Sequence, residues 1–100
     1  MKEIDINETV RKVCDLLGNV TPEEIMGKSR VYKIAVARQL VMWYMVECLG
    51  MSTNEVGAAI GKNHATVVYS VRQIENIIEL GRAYDKKICD AAITLRGDAA

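Results

Sequence analysis

Apolar residues recur at intervals of three and four along most of this chain, which is the spacing of one helix face. No stretch of useful length alternates apolar and polar residues as a half-buried strand does. The pattern therefore predicts an all-α fold. Between residues 52 and 78 the apolar positions form two sets, the first being Val56 and Ile60, and the second Val67, Val71, Ile74 and Ile78.

Capping and breaking residues separate these two sets into two short helices. Ser52 and Glu55 have the spacing of a capping box at the start of the first helix, and Gly61 ends it. Asn63 is suited to cap the second helix. Two short helices joined by a tight turn are typical of a helix-turn-helix.

The second of these helices is predicted to have a polar outward side. Helices that read DNA present hydrogen-bonding side chains from their first turns, and their N-terminal ends favour a nearby phosphate. An ordinary helical hairpin with a solvated face fits the same pattern, so the pattern alone leaves both interpretations open. The outward residues, with those at the N-terminal end, are Lys62, Asn63, Thr66, Tyr69, Arg72, Gln73 and Asn76.

Four further helices are predicted, over about residues 7–17, 21–27, 33–49 and 82–95. Asn7 is expected to cap the first of them. The third is apolar on nearly every side, so it should be central, with Trp43 in the core. A basic stretch from Lys28 to Lys33 lies between the second and third.

Length and composition suit a single domain over residues 1–100. Half of the hundred residues are hydrophobic, one is proline, and no low-complexity tract is present. No apolar core follows Met1-Lys2-Glu3, so no signal peptide is predicted. The apolar run over residues 40–46 is too short to cross a bilayer. A cytoplasmic location without membrane contact is therefore expected.

Charge is unevenly distributed although the net charge is zero. Residues 28–72 carry six basic side chains against two acidic ones, a net charge of +4. Residues 1–27 have a net charge of −3, and residues 73–100 have −1. The positive segment contains the predicted helix-turn-helix, which favours a nucleic-acid partner.

Catalytic and metal chemistry have little support in the sequence. There is no Walker-type phosphate loop and no nucleophile motif, and His64 is the one histidine. Neither an enzyme nor a bound nucleotide or other cofactor is expected. Cys14, Cys48 and Cys89 lie far apart within apolar helical patterns and lack zinc-ligand spacing, so they are expected to be free buried thiols, and no metal is expected.

Two blocks of the chain resemble the C-terminal DNA-binding domain family of the bacterial replication initiator DnaA. Residues 55–70 read E-V-G-A-A-I-G-K-N-H-A-T-V-V-Y-S, followed by V-R-Q-I, where the family has E-I-G-x-x-F-G-G-R-D-H-T-T-V-x-H-A. Residues 27–42, G-K-S-R-V-Y-K-I-A-V-A-R-Q-L-V-M, resemble the family's basic loop and its A-R-x-R-Q-x-A-M helix. The resemblance extends over about residues 6–96. It implies a compact helical domain with a helix-turn-helix that binds double-stranded DNA sequence-specifically, as at a replication origin.

The resemblance also implies which residues contact DNA. In the major groove, Asn63 is expected to suit an adenine edge, and His64 and Ala65 to contact thymine methyl groups. Arg30 aligns with a minor-groove arginine of the family, and Ser29 lies beside it. The expected phosphate contacts are Lys28, Arg38, Gln39, Lys62, Thr66 and Tyr69.

Four departures from the family pattern lie where the family touches DNA. Its glycine pair is shortened to Gly61 alone, and Asn63, Ala65 and Tyr69 stand where the family has Asp, Thr and His. The preferred target sequence is therefore expected to differ. The alternatives are a small transcriptional or mobile-element regulator and a helical protein-interaction domain that has lost DNA binding. A monomer on a non-palindromic site is expected, because no apolar face or heptad seam is left over for a dimer.

Overall fold

The computed structural model describes residues 4–99, so the Met1-Lys2-Glu3 start considered above lies outside the described residues. No strand occurs between residues 4 and 99, and the predicted all-α class is confirmed. A π-helical turn, Tyr44–Cys48, continues the third helix, and a 3-10 turn, Ala83–Asp85, precedes the last. The helices are α1 Ile6–Leu17, α2 Pro22–Met26, α3 Tyr32–Trp43, α4 Thr53–Ile60, α5 His64–Leu80 and α6 Lys86–Ala99.

Side-chain caps determine where α1 and α2 begin. Thr21 and Glu24 form a capping box at the start of α2, in which the Glu24 N–H donates to Thr21 Oγ1 at 3.2 Å. The prediction that Asn7 caps α1 is wrong: Asp5 is the cap, and its carboxylate accepts from the Glu8 N–H at 3.2 Å. Starting at Ile6 adds that half-buried side chain to the inner face of the helix.

Helix α3 lies at the centre of the fold and packs against α1, α2, α5 and α6. Every side chain from Leu40 to Met45 is buried, including Trp43 as predicted. The π-helical turn ends the helix, and the Leu49 N–H donates to the Tyr44 carbonyl at 3.0 Å. Because α3 is covered on several sides, it forms a support for both α5 and the loop between α2 and α3.

The predicted stripe of α5 is largely confirmed. Val67, Val71 and Ile74 are buried, whereas Ile78 is half-buried. Ser70 is also buried, and its hydroxyl donates to the Thr66 carbonyl at 2.8 Å. This internal hydrogen bond allows a polar side chain to face the core.

Both ends of the last helix lie about four residues later in the sequence than predicted. Helix α6 begins at Lys86 because the 3-10 turn occupies the predicted first turn, and the helix extends to Ala99. Its inner face, on which Ile88, Ala92 and Leu95 recur at steps of four and three, is buried.

The cysteines are free, but only in part buried. Cys14 is buried as predicted, and burial raises the pKa of its thiol. The expectation of buried thiols is wrong for Cys48 and Cys89, which are half-buried. Within residues 4–99, no helix is both long enough and apolar enough to cross a membrane.

Candidate nucleic-acid interface

Helices α4 and α5 form the predicted helix-turn-helix. Ser52 caps α4: the Glu55 N–H donates to Ser52 Oγ at 3.1 Å, and the Ser52 N–H donates to Glu55 Oε1 at 2.9 Å. These hydrogen bonds lower the pKa of the Glu55 carboxyl. Helix α4 ends at Gly61, whose φ of 78° lies in the left-handed region that favours glycine.

Gly57 allows the turn to close tightly against α4. Its carbonyl accepts from the N–H groups of both Gly61, at 2.9 Å, and Lys62, at 2.8 Å. A Cβ atom at this position would lie 2.6 Å from the backbone oxygen of Lys62. The start of α5 therefore sits directly over a residue that has no side chain.

Asn63 caps α5 as predicted. Its Oδ1 accepts from the Thr66 N–H at 2.9 Å, which leaves the amide nitrogen without an intramolecular partner among residues 4–99. Around this cap, His64 and Ala65 are exposed, while Lys62 and Thr66 are half-buried. The residues assigned to the major groove are thus brought together in the turn and the first turn of one helix.

The remaining outward positions of α5 agree with the helical pattern in most cases. Tyr69 is 58% exposed, and Arg72 and Asn76 are exposed. Gln73 is half-buried instead. The outward side of α5 therefore offers an aromatic hydroxyl, a guanidinium and an amide beyond the first turn.

The basic loop, residues 27–31, connects α2 to α3. Lys28 and Arg30 are exposed, and Ser29 is half-buried with its Oγ accepting from the Val31 N–H at 3.3 Å. Within residues 4–99, Arg30 has no hydrogen bond or ion pair to another residue. Its guanidinium therefore remains free to bind an external group.

Arg38 is placed differently from the other cations assigned to DNA. It is 8% exposed, and burial lowers the pKa of its guanidinium. Its Nε, Nη1 and Nη2 donate to the backbone carbonyls of Ile25 at 2.6 Å, Ser29 at 3.0 Å and Glu24 at 3.0 Å. This side chain, for which a phosphate contact is expected, is directed inward to α2 and the basic loop. The neighbouring Gln39 is half-buried.

A contact that the sequence did not reveal joins α3 to the segment before α6. The Tyr32 hydroxyl donates to Asp85 Oδ1 at 2.8 Å, and Asp85 is 2% exposed. Although Tyr32 is 58% exposed overall, desolvation of its hydroxyl and the hydrogen bond to this carboxylate raise its pKa to about 12. The two residues are 53 positions apart, so no local spacing could have paired them.

Comparisons with known proteins agree with this geometry. The family model described as the bacterial dnaA protein helix-turn-helix matches residues 6–74. A chromosomal replication initiator protein DnaA of Kosmotoga olearia is 34% identical over 87 residues, covering 87% of this chain and 19% of the relative.

Two further relatives carry the same name. The protein of Thermus thermophilus is 35% identical, over 80% of this chain and 18% of its own length. The protein of Tropheryma whipplei is 33% identical, over 75% of this chain and 15% of its own length. The chain thus spans less than a fifth of the length of these relatives.

Proposed function

This chain belongs to the bacterial DnaA protein helix-turn-helix family, and we propose that it binds double-stranded DNA sequence-specifically, in the manner of replication-origin recognition. Sequence-specific binding of double-stranded DNA is the function that membership of this family implies. The observation that carries the proposal is the family match over a helix-turn-helix whose second helix keeps an exposed polar first turn.

In the proposed complex, α5 enters the major groove by its N-terminal end. His64 and Ala65 are exposed there, in keeping with contacts to thymine methyl groups. Lys62, Thr66 and Tyr69 are assigned to phosphates on either side of the groove. A phosphate near the first turn is also favoured by the free N–H groups and positive dipole of the helix start.

Asn63 is assigned to a base edge through its side-chain amide. An asparagine that recognises adenine uses its amide oxygen and nitrogen together. Here one lone pair of the oxygen accepts the Thr66 N–H and the second is left for a base, while Nδ2 is free to act as a donor. The matching partner is an adenine edge, whose N7 accepts from Nδ2 and whose N6 donates to Oδ1.

The basic loop is assigned to the backbone and minor groove beside that site. Arg30 is exposed and has a free guanidinium, which the negative potential of a narrow A·T-rich groove attracts. Lys28, Ser29 and Gln39 are assigned to the neighbouring sugar-phosphate backbone. One recognition helix and one loop read a single asymmetric stretch, so we propose a monomer on a non-palindromic site.

The remaining proposals follow from the same function. Residues 1–100 are proposed to act as one DNA-binding domain without catalytic activity, nucleotide or metal. Its proposed location is the cytoplasm, where bacterial chromosomal DNA lies.

A mobility-shift titration with random-sequence duplex, followed by selection of bound sites from a random pool, tests the function. We expect salt-sensitive binding to random duplex and enrichment of one asymmetric site. His64→Ala should weaken binding to that site, whereas Lys87→Ala, which removes an exposed charge from α6, should not. Absence of binding at low salt would favour a protein-interaction domain, and a symmetric site bound by two copies would favour a dimeric regulator.

A further inference from the structure

Arg38 is the one buried Lys or Arg among residues 4–99, and no carboxylate pairs with it there. Its charge is instead surrounded by the three backbone carbonyls of Glu24, Ile25 and Ser29. Each of its three guanidinium nitrogens donates to a different carbonyl. A planar fork of donors suits this arrangement, whereas a lysine ammonium does not present the same fixed geometry.

These carbonyls belong to two segments that need to be held together. Glu24 and Ile25 lie at the end of α2, where carbonyl groups lack partners within the helix. Ser29 lies in the basic loop, directly before Arg30. Arg38 itself is on α3, which is buried on most sides. The guanidinium therefore ties the end of α2 and the middle of the basic loop to the central, largely buried helix α3.

The other hydrogen bonds of the basic loop join near neighbours. The Gly27 N–H donates to the Glu24 carbonyl at 3.3 Å, and Ser29 Oγ accepts from the Val31 N–H. At the end of the loop, the Val31 carbonyl accepts from the N–H groups of Ile34 at 3.0 Å and Ala35 at 2.8 Å, in the first turn of α3. The hydrogen bond from Arg38 to the Ser29 carbonyl instead spans nine positions in the chain and comes from a different element. Its loss would leave residues 28–30 without a hydrogen bond to α3.

We propose that Arg38 is a positioning residue, which holds the basic loop so that Arg30 reaches the minor groove and does not itself contact DNA. This inference rests on the proposed DNA-binding function. It predicts that A·T-flank preference depends on Arg38 through Arg30. A lysine at position 38 keeps the charge but not the three hydrogen bonds, so it should not restore that preference.

The test measures affinities of wild type, Arg30→Ala, Arg38→Lys, Arg38→Met and the double variant Arg30→Ala/Arg38→Lys on the selected site with A·T or G·C flanks. For each protein, the affinity for the A·T-flanked site is divided by the affinity for the G·C-flanked site. This ratio should fall in Arg38→Lys to within about twofold of its value in Arg30→Ala. Adding Arg38→Lys to Arg30→Ala should leave the ratio unchanged. Ile88→Val, which removes one buried methyl group from α6, controls for a loss of stability alone.

Two results would overturn the inference: a ratio of affinities in Arg38→Lys equal to that of wild type, because affinity is unchanged or falls equally on both flanks, or an additive effect in the double variant. If wild type shows no flank preference, the assignment of Arg30 fails, and if it binds no DNA, the proposed function fails. Should the Arg38 variants not fold, NMR of wild type decides. The Arg38 Nε–H signal should be protected from solvent exchange and should change little on adding DNA, and rapid exchange or a large change would refute the positioning role.

Discussion

Replacing Asn63 by Asp separates capping of α5 from contact with a base. Asp caps helix starts as well as Asn does, and its negative charge favours the N-terminal end. The acceptor for the Thr66 N–H is retained, so the thermal midpoint of Asn63→Asp should equal or exceed that of wild type. Asn63→Ala removes the cap, at about 1 kcal/mol, and should lower the midpoint by about 4–8 °C.

At the base, the same substitution reverses the hydrogen-bond chemistry. Wild type offers the donor Nδ2, whereas an ionised Asp offers only acceptors. The variant should therefore change its preference toward cytosine, which presents the N4 donor in the major groove. A side chain that forms two hydrogen bonds to a base discriminates against the wrong base by about 1–3 kcal/mol. One hydrogen bond should lie near the lower end of this range, so the affinity for the cytosine site relative to the wild-type site should change by about tenfold.

Parallel site selection with wild type and Asn63→Asp provides the assay, and competition between duplexes differing at the one changed base gives the magnitude. The added negative charge weakens binding to all duplexes, but this effect cancels in a ratio between bases. If Asn63→Asp keeps the thermal midpoint of wild type and selects the same bases, Asn63 does not contact a base.

Three further predictions concern the loop, the turn and the α3 contact. With Arg38 excluded, the three cations assigned to DNA, Lys28, Arg30 and Lys62, give a slope of log affinity against log salt of about −3, and a slope of −6 would require a larger contact surface. Gly57→Ala should lower the free energy of unfolding by about 1–3 kcal/mol in thermal unfolding, because its Cβ would lie 2.6 Å from the Lys62 backbone oxygen. The control Ala58→Gly, on the exposed side of α4, should lower it by about 1 kcal/mol or less. Since the folded pKa of Tyr32 is raised from 10 to about 12, its stabilising effect is complete below pH 10 and is lost as the pH rises through 12. Tyr32→Phe should lack this alkaline loss in pH-dependent unfolding, and an identical profile would contradict the role of the Asp85 contact.

The helix starts were predictable because their determinants lie three residues apart. Ser52 with Glu55 and Asn63 with the Thr66 N–H are complete within one turn. The start of α1 was less certain for a physical reason, since Asp5 and Asn7 are both good caps. The choice follows from Ile6, which extends the apolar stripe of Val10 and Val13 by one helical step and is half-buried against the core.

Contacts between distant elements were not predictable in the same way. The start of α6 depends on the 3-10 turn whose Asp85 is buried and accepts from Tyr32, 53 positions earlier. The inner face of α6 could still be predicted, because it depends only on the spacing of Ile88, Ala92 and Leu95.

Arg30 and Arg38 are the same residue type, and their burial is what assigns them different roles. Arg38 falls on a stripe with Ile34 and Val41 of α3 and Met45 of the π-helical turn, at steps of four, three and four. That spacing was the available signal for its burial. To bind a phosphate it would have to leave three carbonyls, and each of these would lose a charge-assisted hydrogen bond. Arg30 is exposed and breaks no hydrogen bond within residues 4–99 when it binds DNA. The free energy of the DNA contact therefore favours Arg30, while that of the folded loop favours keeping Arg38 where it is.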